Sequence, residues 1–183
     1  MRKGTSVVTR YLILMRHGDA LPTSPGGDRT RELSEKGHAD ISLIGSVMAT
    51  SGFRPSMLIH SPFTRTTQTA EIISEALGCS DVKTVAPCLA SGKPLEPMIY
   101  EIEAFKTEAC LMVIGHMPDV GELGAEFGNM SLGQQYAFVP GGLACMRFES
   151  EIRRGQGDVV FMSRPADTKQ LPDKLNLISG LAS

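Results

Sequence analysis

Short, almost wholly apolar runs separated by longer amphipathic stretches are the main pattern of this chain of 183 residues. Runs of this kind, closed by charged or turn-forming residues, are typical of strands that are covered on both faces. The clearest is residues 110–114 (CLMVI), and a similar run at residues 11–15 (YLILM) ends at Arg16. We also predict a strand at residues 57–60 and a less apolar one at residues 82–85.

Between these runs, apolar residues recur at the spacing of amphipathic helices. Ser34 is expected to cap a helix over residues 35–51. A second helix is expected to have Ser61 as its N-cap and Pro62 in its first position, and to end near residue 78. The same spacing predicts two more helices, over residues 95–105 and 118–128.

The order of these elements predicts the fold class. Strands that alternate with helices indicate an α/β protein, here a three-layer α/β/α sandwich around a mostly parallel sheet. Residues 143–148 and 159–163 flank a polar, glycine-containing turn, which predicts a hairpin at one end of that sheet. We expect one domain over residues 1–164 and a C-terminal tail over residues 165–183, whose structure the pattern does not indicate.

The amino-acid composition limits the kinds of molecule that this chain is expected to bind. At 42% hydrophobic and 21% charged residues, the chain is close to the average globular protein, which excludes wholesale disorder. Eighteen Lys and Arg against twenty Asp and Glu give a net charge of −2, which argues against a nucleic-acid or polybasic membrane binder. Tryptophan is absent and aromatics are 5%, which weakens base stacking further. We expect neither nucleic acid nor a membrane as partner.

The cysteines and the N-terminal segment indicate where in the cell the protein is expected. The four cysteines stand far apart, with no C-x-x-C and no histidine at ligand spacing, so a zinc site or redox dithiol is not expected. Cys110 and Cys145 lie in apolar runs and fit small buried hydrophobic residues. The apolar run in the basic N-terminal region is five residues long, too short for a signal peptide or a membrane span. A cytoplasmic location is expected.

Histidines and arginines follow three of the predicted strands at the points where the strands end. Arg16 and His17 follow the first, Arg65 lies in the helix after the second, and His116 follows residues 110–114. The carboxyl ends of parallel strands meet at one edge of a sheet, where α/β proteins bind ligands and where helix N-termini favour anions. This local cationic cluster predicts a pocket for a phosphoryl group or another small tetrahedral oxyanion.

Each of these residues taken alone also fits an ordinary structural role. Arg16 and His17 fit a solvated turn, Arg65 fits a helix-surface charge, and His116 fits a hydrogen-bonded strand end. Their joint placement at three strand ends favours the pocket, with Gly18 permitting close approach of the backbone. The other two histidines are expected outside the chemistry: His38 as an exposed helical residue and His60 as a neighbour of the pocket.

Four segments together resemble the histidine phosphatase superfamily, which includes the phosphoglycerate mutases. They are LMRHGDA, RELSEKG, SPFTRTTQTAEII and VIGHMPDVGELGAEF, in that order, and the resemblance extends over residues 11–148. RHG alone is a weak motif, whereas RHG with SPFxRTxQTAEII and GHxP is specific. The chain is most similar to the small SixA-type branch, the protein-phosphohistidine phosphatases. The resemblance implies a phosphoglycerate mutase-like fold, a hydrolase, and no metal or other cofactor.

The resemblance also implies roles for the clustered residues. His17 becomes phosphorylated, and Arg16, Arg65 and His116 form the phosphate pocket. Phosphoryl transfer spreads charge over three oxygens, so two guanidinium groups and a protonated His116 would supply the balancing charge without a metal ion. His17 would attack through one ring nitrogen while a backbone carbonyl of the RHG turn holds the other N–H, and the flanking arginines would keep it neutral.

Three more residues are expected to contact the substrate. Arg31 matches a family arginine near the pocket, although it fits a surface charge before the helix equally well. Ser61 and Gly18 lie beside the pocket in the sequence motifs.

The larger mutase and phosphomonoesterase branches have a Glu, soon after the third strand, that protonates the leaving alkoxide. Residues 85–92 (VAPCLASG) contain no carboxylate. An imidazole leaving group, with a free pKa of roughly 6.5, needs much less help than an alcohol. This favours phosphohistidine over a sugar or glycerate phosphate, although Asp19 and Asp119 stay candidate acids. The chain also lacks room for capping insertions, and an open pocket suits a protein substrate.

We therefore favour a phosphohistidine phosphatase acting on a signalling or phosphotransfer protein. The alternative enzyme is a general phosphomonoesterase, or less favoured a mutase, acting on a small phosphorylated metabolite. Two other classes stay open: a non-catalytic phosphate sensor built on the same pocket, and a metal-dependent phosphoesterase, which the lack of paired carboxylates near the histidines opposes. The sequence specifies neither the physiological partner nor the oligomeric state.

Overall fold

The centre of the fold is a six-stranded sheet. The computed structural model describes residues 8–135 and 137–178. The strands are β1 (Arg10–Arg16), β2 (Met57–His60), β3 (Lys83–Val85), β4 (Cys110–Gly115), β5 (Leu143–Phe148) and β6 (Asp158–Ser163). Their order across the sheet is β3-β2-β4-β1-β5-β6.

The sheet is mixed, with a parallel part and an antiparallel end. β1 and β2 each pair in parallel with β4, and β3 pairs in parallel with β2. β5 runs antiparallel to β1, and β6 antiparallel to β5. The predicted mostly parallel sheet with a hairpin at one end is therefore confirmed.

Helices cover both faces of the sheet, as the three-layer prediction requires. They are α1 (Glu35–Thr50), α2 (Thr64–Ala76), α3 (Leu95–Ala104), α4 (Asp119–Gly128), α5 (Leu132–Gln135) and α6 (Leu171–Asn176). The core beside α1, α2 and α6 is separate from the core beside α3 and α4. Across the part of the chain that the structure describes, no helix has the length and apolar content needed to cross a membrane.

The position of β1 between two cores explains why polar and apolar residues do not alternate in its sequence. Tyr11, Ile13 and Met15 belong to the core beside α1 and α2. Leu12 and Leu14 belong to the core beside α3 and α4. A strand covered on both faces needs apolar residues at every position, and this is the pattern that the sequence shows.

The two cysteines predicted to be structural are fully buried. Cys110 and Cys145 lie in the core beside α1 and α2, and both are free thiols. Burial raises the pKa of each thiol, because a thiolate would lose its hydration there.

The starts of α1 and α2 differ in how well they were predicted. Ser34 caps α1 by accepting the N–H of Gly37, as expected. The prediction that Ser61 caps α2 is wrong. α2 begins at Thr64, its N-cap is Phe63, and no side chain caps it. The hydroxyl of Ser61 instead lies 2.7 Å from a ring nitrogen of His116, a contact between separate strand ends that local sequence cannot indicate.

The segment after Arg164, which the sequence pattern left unassigned, packs on α1. A 3₁₀ turn over Pro165–Gln170 leads into α6. Leu171, Leu175 and Ile178 are buried in the core beside α1. The described part of this segment therefore completes one helical layer, and residues 179–183 lie outside the described residues.

Candidate active site

The ends of β1, β2 and β4 meet at one edge of the sheet. β1 and β4 pair through Arg16 and Gly115. The pairing continues one residue further, where the His17 N–H donates to the Gly115 oxygen at 3.1 Å. On the other side of β4, the Ser61 N–H donates to the Ile114 oxygen at 3.1 Å. The residues that follow these three strands therefore emerge side by side.

His17 is held as a neutral imidazole with a defined tautomer. Its Nδ1 lies 2.6 Å from the main-chain oxygen of Gly18. A carbonyl oxygen only accepts, so Nδ1 carries the proton and Nε2 keeps its lone pair. Burial is the main cause that lowers the pKa of His17 to about 4. The Gly18 bond opposes this shift, and smaller contributions from Arg65 and Arg16 add to it. The expected neutral histidine is confirmed, with burial rather than the arginines as the main cause.

Arg65 links the two histidines. It lies in the first turn of α2 and is 4% exposed. Its Nε donates to Nε2 of His17 at 3.1 Å, and its Nη2 lies 3.3 Å from Nδ1 of His116. The two imidazole rings approach edge to face, with their centroids 5.2 Å apart. The structure thus brings together three side chains that are far apart in the sequence.

His116 is neutral in the free protein, and the protonated His116 that we expect during phosphoryl transfer stays a prediction. Its Nδ1 faces Arg65, which only donates, so Nδ1 accepts and the proton lies on Nε2, 2.7 Å from the Ser61 hydroxyl. Burial, followed by His17 and Arg65, lowers the pKa of His116 to about 3. The sequence prediction considered the charge of a bound phosphate but not the burial of the ring.

Arg16 lies at the same edge with one donor unused. Its Nη1 donates to the main-chain oxygen of Phe138 at 2.9 Å. Its Nε is buried and has no hydrogen-bond partner among the described residues. A buried N–H of a charged group costs free energy when it has no acceptor, so an acceptor brought into this pocket would be stabilised.

Arg31 lies in the loop before α1 and does not bond to either imidazole. Its Nε donates to the Leu21 oxygen at 2.6 Å, and its Nη1 pairs with Asp28 at 2.8 Å. It is near enough to contribute to the lowered pKa of His17. The structure therefore places Arg31 at the margin of the cluster, where its contact with a substrate stays a prediction.

Packing against α1 requires a glycine at Gly18, and the expected contact of this residue with a substrate stays a prediction. A Cβ at Gly18 would lie 2.7 Å from Cγ1 of Ile41 and 3.1 Å from Cδ2 of Leu33. Its N–H donates to the Thr69 hydroxyl at 3.1 Å, and its oxygen is the one that fixes His17. Gly18 thus lets the loop after β1 pack against α1 and orients the histidine.

The two candidate acids are placed differently from each other. Asp19 accepts a hydrogen bond from the Ser34 hydroxyl at 2.5 Å. Asp119 is buried with one oxygen unpartnered among the described residues, and burial, followed by Glu122, raises its pKa to about 6. Neither carboxyl hydrogen-bonds an imidazole of the pair in residues 8–135 and 137–178. In the same residues, no three His, Cys, Asp or Glu side chains are grouped to hold a metal ion.

Sequence reasoning missed two residues that hold the arginines. Asp28 accepts from Arg65 through its main-chain oxygen at 2.7 Å and through Oδ2 at 3.1 Å. Its position three residues before Arg31 was a local signal for an ion pair, but not for the contact with Arg65. Phe138 acts through its main-chain oxygen, so its side-chain identity gives no signal of the role.

Comparison with known proteins gives concordant matches. The sequence profile of the histidine phosphatase superfamily (branch 1) matches residues 12–87. The chain is 32% identical over 81 residues to a 2,3-bisphosphoglycerate-dependent phosphoglycerate mutase of Mesorhizobium japonicum, which covers 43% of this chain and 39% of the mutase. It is 29% identical over 117 residues to phosphohistidine phosphatase SixA of Escherichia coli, covering 63% of this chain and 72% of SixA.

The fold is also that of solved relatives. A structure of the protein histidine phosphatase SixA complexed with tungstate has a TM-score of 0.77 and 24% identity, covering 86% of this chain and 98% of that one. This likeness concerns the fold. The match spans about two fifths of the length of the mutase. Similarity to these relatives therefore does not by itself assign their activities to this chain.

Proposed function

We propose that this chain is a metal-independent phosphatase of the histidine phosphatase superfamily that works through a phosphohistidine formed on His17. The proposed substrate is phosphohistidine on a signalling or phosphotransfer protein. The alternative is a phosphomonoester of a small metabolite, and the relationship to a phosphoglycerate mutase is the observation that keeps it open.

The state of His17 is the observation that carries this proposal. Its Nδ1–H is bonded to Gly18, which leaves the Nε2 lone pair facing Arg65. The lowered pKa of about 4 means that Nε2 is unprotonated at neutral pH. A neutral, oriented imidazole next to a buried guanidinium group is the arrangement that nucleophilic attack on a phosphoryl group requires.

The donors around His17 support the binding of a tetrahedral anion. Arg65 presents Nε and Nη2 toward the two imidazoles, and Arg16 has its buried Nε without an acceptor among the described residues. Tungstate, bound in the related SixA structure, is itself a tetrahedral oxyanion. In phosphoryl transfer the negative charge lies on the equatorial oxygens, so fixed guanidinium groups stabilise the transition state.

The proposed reaction has two displacements at phosphorus. His17 Nε2 forms a bond to phosphorus while the P–N bond to the substrate imidazole breaks. The substrate ring, protonated on its other nitrogen, leaves as a neutral imidazole and needs no further proton. A water molecule then attacks the phosphorus, the P–N bond to His17 breaks, and inorganic phosphate leaves with the original neutral imidazole restored. The Nδ1–H bond to Gly18 holds the ring in place through both steps.

The absence of a carboxylate from residues 85–92 supports phosphohistidine as substrate. β3 is followed by a 3₁₀ turn over Pro87–Leu89, and residues 85–92 contain no carboxylate. An imidazole with a free pKa of roughly 6.5 leaves without the strong general acid that an alkoxide needs. The proposed preference for phosphohistidine therefore rests on the weaker need of its leaving group for a general acid.

A substrate panel tests the proposal. The protein would be incubated in excess chelator with a phosphorylated histidine-phosphotransfer domain, with phosphoserine and with a sugar phosphate. The variant His17→Ala and the control His38→Ala, which alters an exposed residue of α1, would be compared with the parent chain.

We expect rapid turnover of the phosphorylated domain and, because an alkoxide needs a general acid, turnover of the two esters at least about 100-fold slower. We expect loss of activity in His17→Ala and full activity in His38→Ala. Equal rates on esters would replace the proposed substrate with the alternative. No phosphate release from any substrate, or dependence on a chelatable metal, would contradict the proposed enzyme.

A further inference from the structure

The guanidinium of Arg65 makes contacts along two different edges. Along one edge, Nη1 donates to the main-chain oxygen of Asp28 at 2.7 Å and Nη2 donates to its carboxylate at 3.1 Å. Along the other edge, Nε donates to His17 at 3.1 Å and Nη2 lies 3.3 Å from His116. A guanidinium is planar and rigid, so contacts that fix one edge also fix the direction of the other.

We propose that Asp28 is a positioning residue for Arg65, which it holds with the Nε/Nη2 edge directed at the site where the phosphoryl group reacts. This inference rests on the proposed function, because the direction of that edge matters only if a phosphoryl group lies between Arg65 and the imidazoles. Asp28 acts from outside the pocket: its side chain is 55% exposed, whereas that of Arg65 is 5% exposed.

Asp28 is itself held by a second arginine. Its Oδ1 accepts from Nη1 of Arg31 at 2.8 Å, and Arg31 in turn donates to the main-chain oxygen of Leu21 at 2.6 Å. Bonding to Arg31, and next to Arg65, holds the pKa of Asp28 below its usual value, so the carboxylate is charged. Hydrogen bonds within the loop between β1 and α1 thereby hold Asp28 in place, and Asp28 in turn holds the Arg65 guanidinium.

A contrary role would make Asp28 an internal competitor that occupies the phosphate pocket until substrate displaces it. The two-edge geometry opposes this role. The Asp28 oxygens lie on the Nη1/Nη2 edge, whereas the His17 nitrogen that would bind phosphorus lies beside Nε. A phosphoryl group on the imidazole side thus has no need to displace Asp28.

The two roles predict opposite kinetics. If Asp28 positions Arg65, its loss misaligns a donor that acts in the transition state, so kcat falls and KM stays close to that of the parent chain. Removal of a nearby negative charge also leaves anion binding no weaker. If Asp28 is a competitor, its loss lowers KM and leaves kcat unchanged or higher.

The test uses Asp28→Ala, Asp28→Asn and the control Asp81→Asn, which removes a carboxylate paired with Arg54 at 3.0 Å on the surface. We expect Asp28→Ala to lower kcat by about 10- to 100-fold with KM within about threefold. Asp28→Asn keeps an acceptor for Nη2 and should recover part of that loss. The control should keep the parent kcat. Unchanged kcat in Asp28→Ala, or a lower KM with equal or higher kcat, would overturn the proposal.

A measurement without turnover separates this proposal from the proposed function. The Arg65 Nε–H, buried and bonded to His17, should give a protected NMR signal in the parent chain and in Asp81→Asn, and should exchange faster with water in Asp28→Ala. Equal protection in all three proteins would overturn the positioning role. If the parent chain released no phosphate from any substrate, the proposed function would fail, while this signal would still report whether Asp28 holds Arg65.

Discussion

Arg65 donates its Nε–H to Nε2 of His17 across 3.1 Å, so a buried cation lies against the nitrogen that we expect to attack phosphorus. Because Nδ1 of the same ring is bonded to Gly18, both ring nitrogens have fixed partners in the free protein. Formation of a P–N bond at Nε2 must transfer the Arg65 donor to a phosphoryl oxygen. One hydrogen bond therefore connects the resting state of the pocket with its proposed chemistry.

Replacement of Arg65 should be costly even when the charge is kept. We expect Arg65→Ala to lower kcat by about 10²- to 10³-fold, or about 2.7–4 kcal/mol, as when one oxyanion donor is removed. Arg65→Lys should recover only a small part, because an ammonium group has no second edge with which to reach both imidazoles. Single-turnover kinetics would measure both, with Arg54→Ala on the surface as the unaffected control. A loss below tenfold in Arg65→Ala would contradict this role.

The two pocket histidines should stay neutral over the physiological pH range. Burial lowers the pKa of His17 to about 4 and that of His116 to about 3. NMR titration of the imidazoles should show neither ring gaining a proton between pH 8 and about pH 5.5, and saturating tungstate should raise the pKa of His116 because the anion stabilises its charged form. Titration of either ring near 6.5 in the free protein would contradict the burial argument.

The same shifts set the sign of a stability effect. In the unfolded chain these histidines bind protons below about pH 6.5, whereas in the folded chain they bind them only near pH 3 to 4. The unfolded state therefore binds more protons as the pH falls from about 6.5 toward 3, and the contribution of the two histidines to stability, complete above 6.5, is lost over that range.

Asp119 should have the opposite pH dependence. Burial, followed by Glu122, raises its pKa from 3.8 to about 6, so its contribution to stability is complete below pH 3.8 and is lost as the pH rises through 6. Asp119→Asn removes this loss. We expect the variant to be about 1 kcal/mol more stable than the parent chain at pH 8, a value discounted for solvent screening, and no more stable at pH 4. Urea denaturation at the two pH values would measure this, and equal differences at both would contradict it.

The prediction of the fold succeeded where short-range pattern decides the structure. The continuous apolar run of β1 predicted a strand covered on both faces, and Ser34 predicted the start of α1. The alignment of the strand ends then followed from the parallel order alone. These features depend on neighbouring residues, so the sequence contains what is needed to predict them.

The prediction was incomplete where long-range contacts decide a residue's role. Ser61 looked like a helix cap but bonds to His116, and His116 is neutral because the folded chain buries it. Asp28 shows an ion pair with Arg31 in the sequence, while its bond to Arg65, 37 residues away, exists only in the fold. The protonation state of a buried histidine and hydrogen bonds between distant residues depend on how the folded chain packs. Residue spacing in the sequence does not specify that packing.

Gly37 provides a packing test at the margin of the pocket. A Cβ at this position would lie 2.0 Å from the main-chain oxygen of Asp19, a contact that only a backbone shift relieves. Gly37→Ala should cost about 3 kcal/mol, which lowers Tm by about 6–12 °C in a chain of this size. Gly133→Ala, where nothing lies within 4 Å of the added carbon, is the matched control and should change stability by less than about 0.5 kcal/mol. Calorimetric Tm values that are equal for the two variants would contradict this packing.

The most direct test of the account is the site of phosphorylation during turnover. The protein would be mixed with a phosphorylated histidine-phosphotransfer domain, quenched in alkali within the first turnover, and mapped by mass spectrometry. We predict one phosphoryl group on His17, present in the parent chain and in His38→Ala and absent from His17→Ala. Phosphate release without a labelled His17, or a label on any other residue, would contradict it.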